Sequence, residues 1–429
     1  MKKHTHILIA SMIGNALEVY DFSLYIIFIS IFATTFFPSN DPFVSLLYSF
    51  STFSAGFVTR PIGAFIFGWV GDKYGRRPAL TYSMLLGSIP MLMIGLMPSY
   101  ETIGVFSSFS IVFLRITQGI SFGGEHNGAI IFTLEHMASS SEAKKAPGLI
   151  GGIFAISVGI GHIMATGMEI CVLSFPDISW GWRIPFILGS LVGFIGFYIR
   201  FKTTESPEFQ EIKNPQVSLF KTLRDYPKSC LLTISLGGLS AISYCMLYSF
   251  FNIYLSRYLG VPLVDTMLYN LFGISIFMLS CPLFGYLSDH IEKRTYFIIA
   301  AVCFLISISL IFNLLQSKTV LSIMTAQLFL GIINGSISGA EHGFMQKLFP
   351  ATHRCTGIAV NWSFGVLIFG GLAPLGMTFL IEKTGNLDIP ILFYVLCVSV
   401  FMIALINLGP VTNQLKKCDE FRNHHHKGF

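Results

Sequence analysis

The sequence predicts an all-α membrane protein: twelve transmembrane helices in two six-helix halves, with both termini in the cytoplasm. Three observations carry this reading. Hydrophobic residues make up 53% of the 429 residues and charged residues only 11%, whereas a soluble domain carries roughly a quarter charged residues. The mean hydropathy is +0.68. The apolar residues gather into twelve runs, each long enough for a hydrocarbon core of about 30 Å. Motifs of the first half return in order in the second. The formal charge of +5 is not a nucleic-acid footprint, because Lys and Arg lie in short inter-helix loops. The eight cysteines are scattered without ligand spacing and read as small core residues.

Taken in order, span one covers 7–37. It is too long for the apolar region of a signal peptide and carries Glu18 and Asp21, so it reads as a mature helix. Spans two and three, 43–70 and 79–97, are joined by GDKYGRRP and must be antiparallel neighbours. In that loop Gly75 allows a tight turn, and Asp72 can pair with Arg76 or cap a neighbouring helix N-terminus. Spans four to six follow at 103–134, 148–174 and 184–200. The longest polar stretch, RFKTTESPEFQEIKNPQ and its continuation, makes 201–228 a linker between bundles 1–200 and 229–410. Spans seven to twelve run over 229–256, 263–287, 295–315, 320–345, 356–381 and 389–410. The tail, 411–429, has three histidines and no heptads, and reads as a solvated end. With the N-terminus inside, the cytoplasmic segments hold 21 Lys and Arg, against Arg183, Arg257, Lys318 and Lys383 outside. That excess sets the orientation.

The halves echo each other. GWVGDK, ending in Asp72 and Lys73, returns as GYLSDH, with Asp289 for Asp72, at an offset of 217. Gln118-Gly119 and GGEH, with Glu125, return as Asn334-Gly335 and GAEH, with Glu341, at an offset of 216. Ile184-Pro185 returns as Ile389-Pro390. Parallel repeats imply a substrate cavity between halves that rock around it.

Charges inside spans are costly and mark function. Glu18 and Asp21 share a helix face, with Tyr25 four residues further along. Two acids held close form a candidate proton site; the alternative is a pair fixed permanently by Arg60 and Arg115. Arg115 needs an anion at mid-span: a span-one acid, a substrate carboxylate, or each in turn. Arg60, before Pro61, is a second carboxylate ligand or a packing residue, and Gln118 lies one turn from Arg115. Glu125 and Glu341 suggest paired gate contacts with the basic loops, for example Arg76 or Arg77 with Glu125. His126 and His342 read as hydrogen-bonded helix residues. In the second half, Tyr244, Tyr248 and Phe251 fall at i, i+4, i+7, a stripe that serves packing or holds a quaternary ammonium or ring. Asn361 and Trp362 are further candidate substrate contacts.

GDKYGRR resembles the loop between helices two and three of the major facilitator superfamily. RPIG, GNALEVYDFSLY, RITQGISFGGEHNG, WGWRIPF, ESPEF and LFPATHRCTGIAV are similar to the metabolite:proton symporter family over nearly the whole chain. That family includes carriers for proline and betaine, 2-oxoglutarate, shikimate and citrate. The resemblance implies the major facilitator fold in the bacterial inner membrane, importing a small polar metabolite by proton symport. It implies no cofactor beyond protons, no nucleic acid and no obligatory protein partner besides the bilayer. Departures are Val19 for the usual Trp, Glu292 in place of a loop glycine, and Pro147 before Gly148. The short tail argues against the osmotic gating of long-tailed relatives. Drug/proton efflux would want a proline in GLIGGIFAISVGIGHIMATG; a nutrient sensor would want a signalling domain. An enzyme would want a nucleophile–base pair or a metal set. Two arginines favour an anionic substrate group, and the neighbouring acids and aromatics equally suit a zwitterion.

Overall fold

The computed structural model describes residues 2–138, 146–174, 180–212 and 219–407; the tail, 411–429, and part of the linker lie outside them. Among the described residues there is no strand, and twelve helices are long and apolar enough to cross a membrane. In chain order the first half holds α1 (Lys2–Ile27), α2 (Ile29–Phe36), α3 (Pro42–Lys73), α4 (Arg76–Leu96), α5 (Tyr100–Ile103), α6 (Val105–Met137), α7 (Pro147–Leu173) and α8 (Arg183–Phe201). Two short helices, α9 (Pro207–Gln210) and α10 (Leu219–Asp225), occupy the linker. Then come α11 (Pro227–Cys245), α12 (Phe251–Ile253), α13 (Leu263–His290), α14 (Lys293–Gln316), α15 (Val320–Met345), α16 (Arg354–Val366), α17 (Ala373–Thr384) and α18 (Ile389–Asn407).

Three spans are less regular than their hydropathy suggests. Span one breaks at Phe28, with φ −93° and ψ 16°, although Phe28 and Phe32 keep their backbone bonds to Leu24 and Phe28. Beyond the break, Phe32 and Phe36 pack with Tyr25, Trp182 and Phe186. Trp182 and Phe186 come from WGWRIPF, whose Arg183 donates to the Met97 carbonyl at 2.5 Å. Span seven passes through π turns at Met246–Phe250 and Tyr254–Tyr258, and span eleven through one at Leu367–Leu372. An apolar run does not register such insertions, because every residue around them is apolar as well.

The chain divides into two compact units: Met1–His136 with Ser157–Lys213, and Met137–Ile156 with Asn214–Phe429. Within each, a glycine seam brings two spans into backbone contact. In the first, a Cβ on Gly119 would meet the Gly56 carbonyl, and one on Gly123 would meet the Arg60 carbonyl, so α3 and α6 touch where side chains are missing. In the second, a Cβ on Gly331 would meet the Gly273 carbonyl, and one on Gly339 the Cys281 carbonyl, joining α13 to α15. Gly119 and Gly123 are the sequence partners of Gly335 and Gly339. The echo therefore repeats a close helix approach of the kind small residues permit in membranes.

Each end of the linker is pinned. Ser206 caps α9 and donates to Glu135 at 2.6 Å in the first unit. Thr222 of α10 meets His353 Nδ1 at 2.9 Å in the second.

Candidate functional site

The first unit is built around one stripe of α1. Gly14, Glu18, Asp21 and Tyr25 follow at intervals of four, three and four, so they stack on one face. Opposite them, α6 presents Arg115, Gln118, Phe122 and Glu125 at intervals of three, four and three. Both acids are buried, Glu18 5% and Asp21 2% exposed, and each has its own arginine. Arg115 Nη1 donates to Asp21 Oδ2 at 2.9 Å and to Gln118 Oε1 at 2.8 Å. Its guanidinium lies 3.9 Å from the centre of the Tyr25 ring, and the Tyr25 hydroxyl donates to the Ser49 carbonyl at 3.2 Å. Arg60 pairs with Glu18 at 3.2 Å and sits 4.3 Å from the Phe22 ring. The structure thus brings together Glu18, Asp21, Tyr25, Arg60, Arg115 and Gln118.

A third pair lies deeper along the same stripe. Glu125 is not the partner of Arg76 or Arg77: its Oε1 meets Arg200 Nη1 at 2.5 Å, and its Oε2 accepts from Ser83 at 2.8 Å. The expected contact is not made because each side is taken elsewhere: Arg200 and Ser83 hold Glu125, Asp72 and Glu135 hold Arg76, and Arg77 donates to the Phe201 carbonyl. A Cβ on Gly14 would collide with both Arg200 and Glu125, so this glycine lets α1 close over the pair. Beside it, His126 Nδ1 lies 2.7 Å from Asn15 Oδ1, and Asn15 donates to Ser157 at 2.7 Å.

At the loop end, Arg76 is almost wholly buried and meets Asp72 at 3.4 Å and Glu135 at 3.1 Å. Glu205 of ESPEF accepts from the backbone N–H groups of Arg76 and Arg77, satisfying the start of α4. Arg77 donates to the Phe201 carbonyl. GDKYGRR and ESPEF, separate as motifs, are therefore two sides of one clasp. In the second unit Asp289 pairs with Lys293 at 3.2 Å, as Asp72 does with Arg76, and it accepts from Gly148 and Leu149 N–H at 2.9 Å. Asp289 thereby caps the N-terminus of α7 with a carboxylate, the charge that end favours. Gly148 is needed there, since a Cβ would meet the Gly285 carbonyl.

Elsewhere in the second unit the expected residues separate. Tyr244 and Tyr248 meet with tilted rings, centres 4.5 Å apart, and Tyr248 meets Phe277 edge-on at 6.0 Å. The π turn between Tyr244 and Phe251 shifts the register, so the three do not form one straight stripe. Asn361 donates to the Gly357 carbonyl of its own helix at 2.6 Å, and Trp362 lies against Gly237 of α11. Trp362 thus packs at the contact between α16 and α11. Among the described residues Glu341 is not seen to meet a loop cation. It is 2% exposed, accepts from Ser240 at 3.1 Å, and lies 3.7 Å from His342.

Sequence reasoning missed Arg200, Glu135 and Glu205. The signal for Arg200 was an arginine inside the last turn of an apolar span; Glu135 and Glu205 gave none, because their partners are 59 and 129 residues away.

Two bundles of membrane-crossing helices, with ion pairs buried along one of them, define a secondary transporter. Residues 11–374 match the Major Facilitator Superfamily. Over 425 residues the chain is 30% identical to the proline/betaine transporter of Escherichia coli (strain K12), covering 94% of this chain and 83% of that protein. It is also 30% identical over 452 residues to the glycine betaine/proline/ectoine/pipecolic acid transporter OusA of Dickeya dadantii (strain 3937), covering 97% and 88%. Among solved structures, the proton:xylose symporter XylE bound to 6-bromo-6-deoxy-D-glucose shares the fold, with a TM-score of 0.72 at 14% identity over 94% of this chain and 95% of that one. The chain belongs to the Major Facilitator Superfamily, within its metabolite:proton symporter family, and is a multi-pass integral membrane transporter.

Proposed function

We propose that this protein imports a small zwitterion or organic acid, of the betaine or amino-acid kind, by proton symport across the bacterial cytoplasmic membrane. The observation that carries the reading is the buried pair of Arg115 and Asp21, 2.9 Å apart. While Asp21 is charged, it and Gln118 hold the guanidinium. Protonating Asp21 removes the anion, and a buried cation left without one is costly. A substrate carboxylate then takes that place, so proton and substrate load together. Release of the proton restores the pair and expels the substrate. Asp21 and Glu18 are the proton-coupling acids; Arg115, Arg60, Tyr25 and Gln118 form the anion-binding wall.

The relatives named for proline, glycine betaine, ectoine and pipecolic acid support a carboxylate-bearing zwitterion as cargo. The ion pairs of Asp72 with Arg76 and of Asp289 with Lys293 are the gating elements on the cytoplasmic side, where both termini lie. Protons are the coupling ion, no cofactor is required, and no bond of the cargo is made or broken. The bilayer is the only obligatory surrounding.

The test is uptake by purified protein in liposomes of labelled proline, glycine betaine, ectoine, pipecolic acid, 2-oxoglutarate and shikimate, with and without an inward proton gradient. Gradient-driven accumulation that an uncoupler abolishes is the expected result. Accumulation indifferent to the gradient, or proton-driven expulsion, would sink the reading.

A further inference from the structure

Inside the first unit lies a cavity of ≈ 30 Å³, enough for about two water molecules at roughly 10–15 Å³ each. Glu18, Asp21 and Glu125 all line it, as do Ser88 and Ser121. Glu18 Oε2 and Asp21 Oδ1 are buried and have no hydrogen-bond partner among the described residues. Buried carboxylate oxygens without a protein donor are the groups that internal water satisfies.

We propose that this cavity is a proton passage within the first unit, with Glu125 as its exit towards the loop of residues 71–78. The proposal rests on the symport reading and adds to it a route that the cargo does not share. Three features support the assignment. The first is distance. Glu18 and Asp21 are one turn apart on α1, and Glu125 lies against Gly14, one turn further on. Each turn is about 5.4 Å, a gap that one water bridges. The second is matching. Asp21 has Arg115, Glu18 has Arg60 and Glu125 has Arg200. Every station is a carboxylate with one guanidinium, so no station traps the proton as an isolated buried acid would. The third is direction. Arg115 and Glu125 are ten residues apart on α6, so about 15 Å of helix separates entry from exit.

Transfer proceeds from the Asp21 carboxyl through water to Glu18, and through water again to Glu125. At each step one O–H bond breaks on the donor and one forms on the acceptor, and the carboxylate left behind re-forms its ion pair. The groups facing Glu125 are Arg200 from α8, Ser83 from α4 and Gly14 of α1, with Glu18 one turn along α1 and Arg60 of α3 paired to Glu18.

The test compares wild type with Glu125→Gln, Glu125→Asp and Ser88→Leu in proteoliposomes loaded with a pH dye. Substrate exchange at equal pH is measured beside substrate-driven proton entry, using the substrate identified by uptake. Wild-type protein that moves substrate without protons refutes the symport reading itself. With wild-type symport established, Glu125→Gln and the cavity-filling Ser88→Leu are expected to slow proton entry roughly a hundredfold while exchange continues. Glu125→Asp should restore most of it. Proton entry at the wild-type rate in Ser88→Leu and Glu125→Gln overturns the passage. So does loss of exchange together with proton entry in both variants, since those positions would then serve the fold or the cargo.

Discussion

Arg115 is held from three directions, by Asp21, by Gln118 and by the face of Tyr25. Its replacement therefore does more than remove a charge. Arg115→Ala strands Asp21 as a buried carboxylate, a change that costs about 3–5 kcal/mol in comparable sites. Both counterflow and net uptake should vanish. Asp21→Asn keeps the shape and leaves the guanidinium to the cargo, so exchange should persist while accumulation against a gradient disappears. Radiolabel counterflow beside net uptake separates the two variants. If Asp21→Asn and Glu18→Gln each still accumulate substrate, the coupling acids lie elsewhere. The acids and arginines of this cluster were legible because a charge within an apolar run stands out. Arg60 and Arg115 were legible as partners for the two acids, but the partner of Glu125 was not, since it could equally have met a loop arginine. Arg200 was hidden by its place at the end of a span, where an arginine ordinarily reaches water.

Helices α3, α6, α13 and α15 owe their closeness to absent side chains. Gly119→Val and Gly335→Val should each disturb the seam in their own unit. The structure predicts comparable losses, because the carbon added at Gly119 meets the Gly56 carbonyl and the one added at Gly335 meets the Ser280 Cβ, which is fixed to its backbone. Thermal unfolding in detergent checks this; a variant as stable as wild type would mean that its seam yields. A second element-level expectation concerns Glu292, which stands at the repeat position of Gly75. It caps α14, its carboxylate accepting from Thr295 N–H at 2.7 Å and Thr295 Oγ1 at 2.8 Å. Partial burial pushes its carboxyl up, but those bonds and the Arg294 charge outweigh this and hold it below the usual range. A folded-state value below the unfolded one stabilises above about pH 4.3 and is lost as pH falls through the folded value. Glu292→Ala should cost about 1 kcal/mol at neutral pH, and the difference from wild type should shrink in acid. A constant difference between pH 7 and 3 would argue against the cap.

For the molecule as a whole, hydropathy was sufficient to count and place twelve spans, because a membrane imposes length and apolarity on every crossing. The π turns and the break at Phe28 left no trace in it, since they alter backbone path without altering composition. The repeat was visible as scattered identities, and its meaning emerged only when the repeated glycines were seen to bring backbones together. A different consequence follows from the one-to-one matching of acids and arginines along α1. With three carboxylates facing three guanidiniums, the stripe along α1 carries no net charge when the carrier is empty, and a bound proton makes that stripe positive by one. A zwitterionic cargo adds nothing. The loaded carrier is thus the electrically active form, and the empty one returns without moving charge. An inside-negative potential contributes about 2.3 kcal/mol per charge for each 100 mV, so a potassium diffusion potential alone should drive uptake at equal pH. Such a carrier would keep concentrating its cargo in an alkaline medium, where the chemical gradient of protons is gone and only the voltage remains.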